Sequence, residues 1–298
     1  MKKGLLLYAK TVDGKEAFAE VSPLPGFSIE TFEEAKKQIE SLQSKIIDSP
    51  FDALQKKNLL PSVAFGLDSL IYSLSYSNSL VSYPLCGFLS GTFKEMQNEI
   101  PFLLEEGYKH IKIKVSKLSF TEAHQVIERF IGKVVLKIDL NRAWSLKESL
   151  SFFNNYPLET FEYIEEPVSD VKDLLSFPYP IALDETLREH RSISGLPNIK
   201  AFIIKPMLTG GLKEIQKLVD LAHFMNASVT LSSSYESGVG LFHLCSLLER
   251  AKIPVHPLGV DTHRLIDRDI LLTPHRITKG ILTLSPLEVL PNVATMVC

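Results

Sequence analysis

The sequence predicts an α/β fold, a (β/α)₈ barrel preceded by a small α+β capping domain. Three observations carry that reading. From about Tyr83 and Pro84 onward, short apolar strands alternate with amphipathic helices, the texture of parallel βα units. Eight such strands can be read before the chain ends. Charged residues recur at the C-terminal ends of five consecutive strands, the end at which a barrel gathers its reactive groups.

Residues 1–83 form the first block. "GLLLYAK" and "EAFAEVSP" flank the turn-like "VDGK", a plausible hairpin. Two helical stretches follow, around "TFEEAKKQIESLQSKI" and "SVAFGLDSLIYSLSY". Between hairpin and helices, "SPLPGFS" carries two prolines and a glycine, so it is a stiff turn, and its Phe27 is suited to a lid that touches substrate. Residues 84–274 form the barrel, and residues 275–298 are expected to pack back on the first block.

The barrel strands are read at "PLCGFLSG", "HIKIKVS", "VVLKIDLN", "FEYIEEPV", "PIALDET", "AFIIKPM", "SVTLSSS" and "PVHPLGVDT". Helices fill the gaps. "SLKESLSFF" opens with Ser145 and has Glu148 three residues on, a capping box. Leu212, Ile215, Val219 and Ala222 make one stripe of a second helix, and Ala123, Val126, Ile127 and Phe130 make another.

The 298 residues include 45% hydrophobic and 22% charged, enough to bury a large core. A net charge of −3 and a pI near 6.3 argue against nucleic-acid and anionic-membrane partners. The apolar run in "MKKGLLLYAK" is too short for a targeting segment, and no stretch of about 18 apolar residues exists to span a bilayer. Cys86, Cys245 and Cys298 are odd in number and lack CxxC spacing, which points to a reducing, cytoplasmic compartment. Nothing in the sequence implies an obligate protein partner.

The strand "HIKIKVSK" poses the chemical question. Ile111, Ile113 and Val115 alternate with Lys112 and Lys114, so one face is apolar and the other holds two ammonium groups. The following strands end in Asp139 and Asn141, Glu165 and Glu166, Asp184 and Glu185, and Lys205. From Lys114 the steps are 25, 26, 19 and 21 residues, one βα unit each. Any one of these side chains alone is an ordinary strand-end solvator; the joint order is the signal. Three carboxylates at one mouth would repel in a low dielectric, and a hard dication removes the conflict. Asp139, Glu165 and Asp184 are therefore the expected ligands of Mg²⁺, with Mn²⁺ an equal chemical fit. Lys114 and Lys205 then flank the metal on opposite sides. Lys112 and the dication disfavour the ammonium form of Lys114, which makes it a base able to remove a proton.

These residues resemble the enolase superfamily, specifically its muconate-lactonizing subgroup with the pattern KxK, D, E, D, K. "SPLPGFSIET", "PSVAFG", "DLNRAW", "LDETLRE", "IKPMLTGGL", "SSSYESGVGL" and "GVDT" extend the likeness from about Ser22 to Thr262, and are most similar to the o-succinylbenzoate synthase branch. The resemblance implies an Mg²⁺-dependent carbon–oxygen lyase of menaquinone biosynthesis acting on a small carboxylate, by syn-dehydration of 2-succinyl-6-hydroxy-2,4-cyclohexadiene-1-carboxylate to 2-succinylbenzoate. It implies Lys114 as the base that forms a metal-stabilised ene-diolate, Lys112 as the electrostatic aid of Lys114, and Lys205 as a cation across the ring. Ser232, through its hydroxyl, and Gly259, through its N–H, stand where the family contacts the succinyl tail. Asn141 is a candidate hydrogen-bonder beside the metal, and Arg142 a partner for Glu166 or Glu185. The branch carries an edge strand and a mobile loop ahead of the segment matching "GLLLYAK", so the capping domain is expected to be truncated at its start.

The same site also suits an N-acylamino-acid racemase or dipeptide epimerase, with Lys114 and Lys205 as two bases on opposite faces. A homologue that binds metal or metabolite without turnover is the third reading.

Overall fold

The computed structural model describes residues 2–75, 81–189, 193, 195–291 and 293. Cys298 and the extreme C-terminal segment lie outside them, as does the Tyr76 end of the second predicted helix.

The chain opens with the predicted hairpin. Strand β1 (Leu5–Lys10) runs antiparallel to β2 (Glu16–Val21), with Leu5 opposite Val21 and Lys10 opposite Glu16. Gly14 turns the hairpin at φ +86°, a conformation open to glycine without strain. Helices α1 (Phe32–Asp48), α2 (Pro50–Leu54) and α3 (Pro61–Ser75) follow. Leu5, Val21, Ala35, Leu42, Val63 and Leu67 bury one another in a small separate core. The sequence reading passed over α2, a single turn whose only mark is Ser49 ahead of Pro50; the Ser49 hydroxyl accepts from the Asp52 N–H at 3.3 Å.

Strand β3 (Ser82–Pro84) leads into the barrel. Seven parallel strands follow in chain order: β4 (Cys86–Leu89), β5 (His110–Lys114), β6 (Val135–Asp139), β7 (Phe161–Glu165), β8 (Ile181–Leu183), β9 (Ile199–Ile204) and β10 (Ser228–Leu231). Between and after them lie α4 (Phe93–Glu105), α5 (Phe120–Glu128), α6 (Leu146–Phe153), α7 (Glu185–Arg188), α8 (Pro206–Thr209), α9 (Leu212–Phe224) and α10 (Gly238–Arg250). The capping box at Ser145 and Glu148 is formed, and a second sits at Ser119 and Glu122. The eighth stave departs from expectation. "PVHPLGVDT" is not a regular strand but closes the ring through two isolated parallel bridges, Leu85 with Leu258 and Ser232 with Gly259. Pro254 and Pro257 have no N–H to donate, which confines pairing to the short run after them.

Strands β11 (Arg276–Thr278) and β12 (Ile281–Thr283) pair with β3 in a small antiparallel sheet that the sequence reading did not foresee. Three residues are too few to show alternation, and the turn between them is Lys279–Gly280, both at positive φ. Farther along, Leu287, Val289 and Val293 pack against a cluster of Leu6, Val239 and Leu271.

Helix α10 joins the hairpin to the barrel. Buried Glu20 of β2 accepts from the N–H groups of Ser237 (2.9 Å) and Gly240 (3.2 Å), placing a carboxylate at the helix N-terminus where the backbone dipole favours it. A turn on, His243 Nε2 donates to the Phe18 carbonyl at 2.8 Å, while its Nδ1 is buried with no hydrogen-bond partner among the described residues. Burial, aided by nearby Arg250, pushes His243 down to about 4 from an ordinary 6.5. The unfolded chain therefore takes up this proton before the folded one does. Stability present above pH 6.5 is lost as pH falls toward 4, by roughly 3 kcal/mol from this residue. We expect His243→Gln, whose amide can still donate to Phe18, to lose clearly less melting temperature than the wild type between pH 6.5 and pH 4. Equal losses in thermal scans would contradict this account of the joint.

Candidate active site

Parallel pairing sets the candidate residues level with one another. Lys114 is the register partner of Asp139, and Asp139 is the partner of Glu165. Glu165 pairs with Ala182, two residues before Asp184, and Lys205 immediately follows β9. The period of two does the rest. Ile111 and Ile113 are fully buried outward against the helices, which turns Lys112 and Lys114 inward. The lysine face of β5 is the inside of the barrel.

Lys112, Lys114, Asp139, Asn141 and Lys205 line one cavity of about 230 Å³, together with Phe27, Ser232 and Gly259. Glu165 and Asp184 are completely buried behind it. The Lys112 ammonium lies 3.0 and 3.2 Å from the two Glu165 oxygens and 3.4 Å from Asp139, with the Phe88 ring 6.0 Å away. Lys205 donates to Asp184 Oδ2, and Arg188 Nε donates to Asp184 Oδ1 at 3.3 Å. Each proposed ligand thus has a cation against it. Lys112, expected to aid Lys114 electrostatically, is engaged by Glu165 and Asp139.

The electrostatics follow from that pairing. Burial by itself would lower Lys112, but Glu165 and Asp139 outweigh it and hold the ammonium well above its ordinary range. Lys205 is likewise raised, by Asp184 and Glu165 against burial. Burial would raise the Asp184 carboxyl; Lys205 and Arg188 overcome it and hold it low. Glu165 goes the other way. Burial and the charge of Asp139 push it up to about 8, against the pull of Lys112.

The strand ends beyond the acids are backbone-strained. Asn141, Arg142 and Glu166 sit at φ +43°, +58° and +45°, the left-handed region that non-glycine residues enter only when their surroundings dictate it. Glu166 is the bolt. Its Oε1 accepts from the N–H groups of Asp184 and Thr186, both at 2.8 Å, and its Oε2 accepts from Arg142 Nε at 2.8 Å. Arg142 therefore pairs with Glu166 and not Glu185, and also with Glu189 at 2.6 Å. Asn141 donates its N–H to Asp139 Oδ1 (3.0 Å) and its amide to Glu185 (3.3 Å). Three strand ends are fixed to one another in this way.

Gly259 needs a correction. Its N–H already donates to the Leu231 carbonyl at 2.9 Å in closing the barrel, so it is not offered to a substrate. The glycine matters for room: a Cβ there would stand 2.8 Å from Ser232 Oγ. The Ser232 hydroxyl donates to the Gly259 carbonyl at 3.1 Å and faces the cavity. Sequence reasoning gave no role to Phe88, Tyr235, Arg188 or Lys137. Arg188 had a readable signal, since it lies four residues after Asp184. Lys137, two residues before Asp139 on the same strand face, is 1% exposed, 3.4 Å from Glu162 and 5.0 Å over the Tyr163 ring. It forms a second buried cationic tier below the acids.

Residues 95–287 match the family described as enolase C-terminal domain-like, and residues 1–74 match the MenC N-terminal domain. The o-succinylbenzoate synthase of Klebsiella pneumoniae is 30% identical over 93% of this chain and 88% of its own length. The chain belongs to the o-succinylbenzoate synthase family of the enolase superfamily. A second relative in this family, the Citrobacter koseri o-succinylbenzoate synthase, is 31% identical over 87% of this chain and 83% of its own. Among solved structures, muconate lactonizing enzyme from Pseudomonas fluorescens superposes with a TM-score of 0.80 over 99% of this chain and 91% of that one, at 16% identity. The L-Ala-D/L-Glu epimerase from Bacillus subtilis does so at 0.78 over 97% and 90%, also at 16%. At that identity they establish the barrel fold and no more.

Enolase-superfamily members generally bind a divalent metal. The donor set in this family member suits a hard one: three oxygen-only side chains, one of them with its carboxyl displaced upward by burial and by its acidic neighbour. Among the described residues no three His, Cys, Asp or Glu side chains converge as a ready ligand cluster, and Lys112 and Lys205 contact the three carboxylates. Removing Lys112 leaves Glu165 and Asp139 without it, an uncompensated burial that costs roughly 3–5 kcal/mol. We expect Lys112→Met to melt well below the wild type in a chelator, and Mg²⁺ to recover more of the loss than it adds to the wild type. A deficit that Mg²⁺ leaves unchanged would argue against a shared cation site.

Proposed function

We propose that this chain is an o-succinylbenzoate synthase, a hydro-lyase that converts 2-succinyl-6-hydroxy-2,4-cyclohexadiene-1-carboxylate into 2-succinylbenzoate for menaquinone biosynthesis. One observation carries the reading: Lys114, Asp139 and Glu165 stand level on consecutive strands, and Lys205 lies four strands round the ring on the wall of the same cavity. We adopt residues 1–83 as the capping domain and 84–274 as the catalytic barrel, working in the cytoplasm on a small carboxylate.

In this mechanism Asp139, Glu165 and Asp184 would hold Mg²⁺, or Mn²⁺ in its place. When bound, the metal would supply positive charge that stabilises the anion formed from the substrate. Lys114 Nζ takes the proton α to that carboxylate and delivers it to the departing hydroxyl on the same face, which leaves as water. Lys112 holds the two acids in place. Lys205 acts as a fixed cation over the opposite face of the ring, favouring the electron-rich anion. Ser232 turns its hydroxyl from the Gly259 carbonyl to the succinyl tail, Gly259 keeps that wall thin, Asn141 steadies Asp139, and Phe27 covers the mouth.

The state of Lys205 bears on the alternative racemase. A racemase needs Lys205 to shed its proton and act as a second base, whereas the lyase uses it only as a cation. We expect purified protein with Mg²⁺ and substrate to generate the ultraviolet absorbance of the aromatic product. Lys114→Ala should lower kcat by at least about a thousandfold, and Lys205→Arg should retain far more activity than Lys205→Ala. Racemisation of N-succinyl amino acids without aromatic product would overturn the assignment in favour of two-base chemistry.

A further inference from the structure

We propose that Arg188 is a positioning residue that couples the Leu24–Ser28 turn over the mouth to the Asp184 carboxylate, so that the order of one depends on the other. The two contacts come from one side chain. Arg188 Nε donates to Asp184 Oδ1 at 3.3 Å, and its Nη1 donates to the Phe27 carbonyl at 3.0 Å, 161 residues away in sequence. Its Nη2 lies 3.9 Å from Glu185 and has no hydrogen-bond partner among the described residues.

Guanidinium geometry makes this a coupling and not two separate bonds. The group is a rigid plane whose donors point in fixed directions, so seating Nε on Asp184 also fixes where Nη1 aims. The receiving carbonyl is fixed as well. Pro23 and Pro25 restrict the turn, Gly26 takes φ +80°, and the Phe27 and Ser28 N–H groups both donate to the Leu24 carbonyl, at 3.1 and 2.9 Å. The turn thereby presents the Phe27 carbonyl to Arg188 while the residue also borders the cavity. Asp184 itself is completely buried, with Lys205 on its other oxygen, so a shift of Arg188 is felt by a carboxylate with little freedom to follow. Short α7 holds Arg188 one turn past Asp184, the spacing that brings the two together. A lysine has one donor nitrogen and cannot span both partners in this fashion.

The inference deepens the proposed function in taking Asp184 as part of the reacting site, but its test uses neither metal nor substrate. Hydrogen–deuterium exchange is followed by mass spectrometry on the full chain, in the peptide covering residues 22–31, with residues 32–48 as the internal control. We expect Arg188→Gln to speed exchange in the first peptide about tenfold, as for one lost charge-assisted hydrogen bond, and to leave the second unchanged. Arg188→Lys should fall between it and the wild type. Asp184→Ala should also speed exchange in the turn, and should add nothing when Arg188 is already Gln. The proposal is overturned by unchanged exchange in Arg188→Gln, by equal acceleration in both peptides, or by effects of the two substitutions that simply add. Failure of the enzyme assay would leave the exchange pattern intact, so the two readings stand or fall separately.

Discussion

Three carboxylates buried on neighbouring parallel strands repel one another, and the barrel mouth is organised around that cost. At an effective dielectric of about 20, two like charges some 4 Å apart oppose each other by about 4 kcal/mol. The fold answers with cations placed from fixed positions: Lys112 between Glu165 and Asp139, Lys205 and Arg188 on the two oxygens of Asp184. Glu165, fully buried beside Asp139, keeps the residual strain as a carboxyl pushed up to about 8 despite Lys112.

The supports around the acids are covalently distant but mechanically close. Glu166 fastens the ends of three strands through Arg142 and the N–H groups of Asp184 and Thr186. Left-handed backbone at Asn141, Arg142 and Glu166 is the local penalty for that fastening. Farther out, Glu20 and His243 bind the first hairpin to α10, and Arg188 reaches from the strand ends to the Phe27 turn. A site made of strand-end side chains gains rigidity from the sheet and its cover from a separate unit.

Much of this was legible in the sequence, for identifiable reasons. Alternation in "HIKIK" fixed which face of β5 is inward, because a period of two leaves no other choice once the isoleucines are buried. Regular spacing placed the acids on successive staves. What escaped reading depended on contacts that sequence order does not encode. The eighth stave is reduced to two bridges by its prolines, and the N–H of Gly259 is consumed by that closure. The contacts of Lys112 with Glu165 and Asp139 are set by distances across the barrel. The sheet of β3, β11 and β12 joins segments about 200 residues apart, each too short to declare itself.

We propose that Asp139, Glu165 and Asp184 serve one dication despite the lysines among them. Anomalous diffraction at the manganese edge, on crystals grown with Mn²⁺, is the decisive test. A single peak bounded by oxygens of all three side chains is the result expected. A well-ordered crystal whose anomalous density is absent from that point, with Lys112 and Lys205 still seated on the carboxylates, would contradict it.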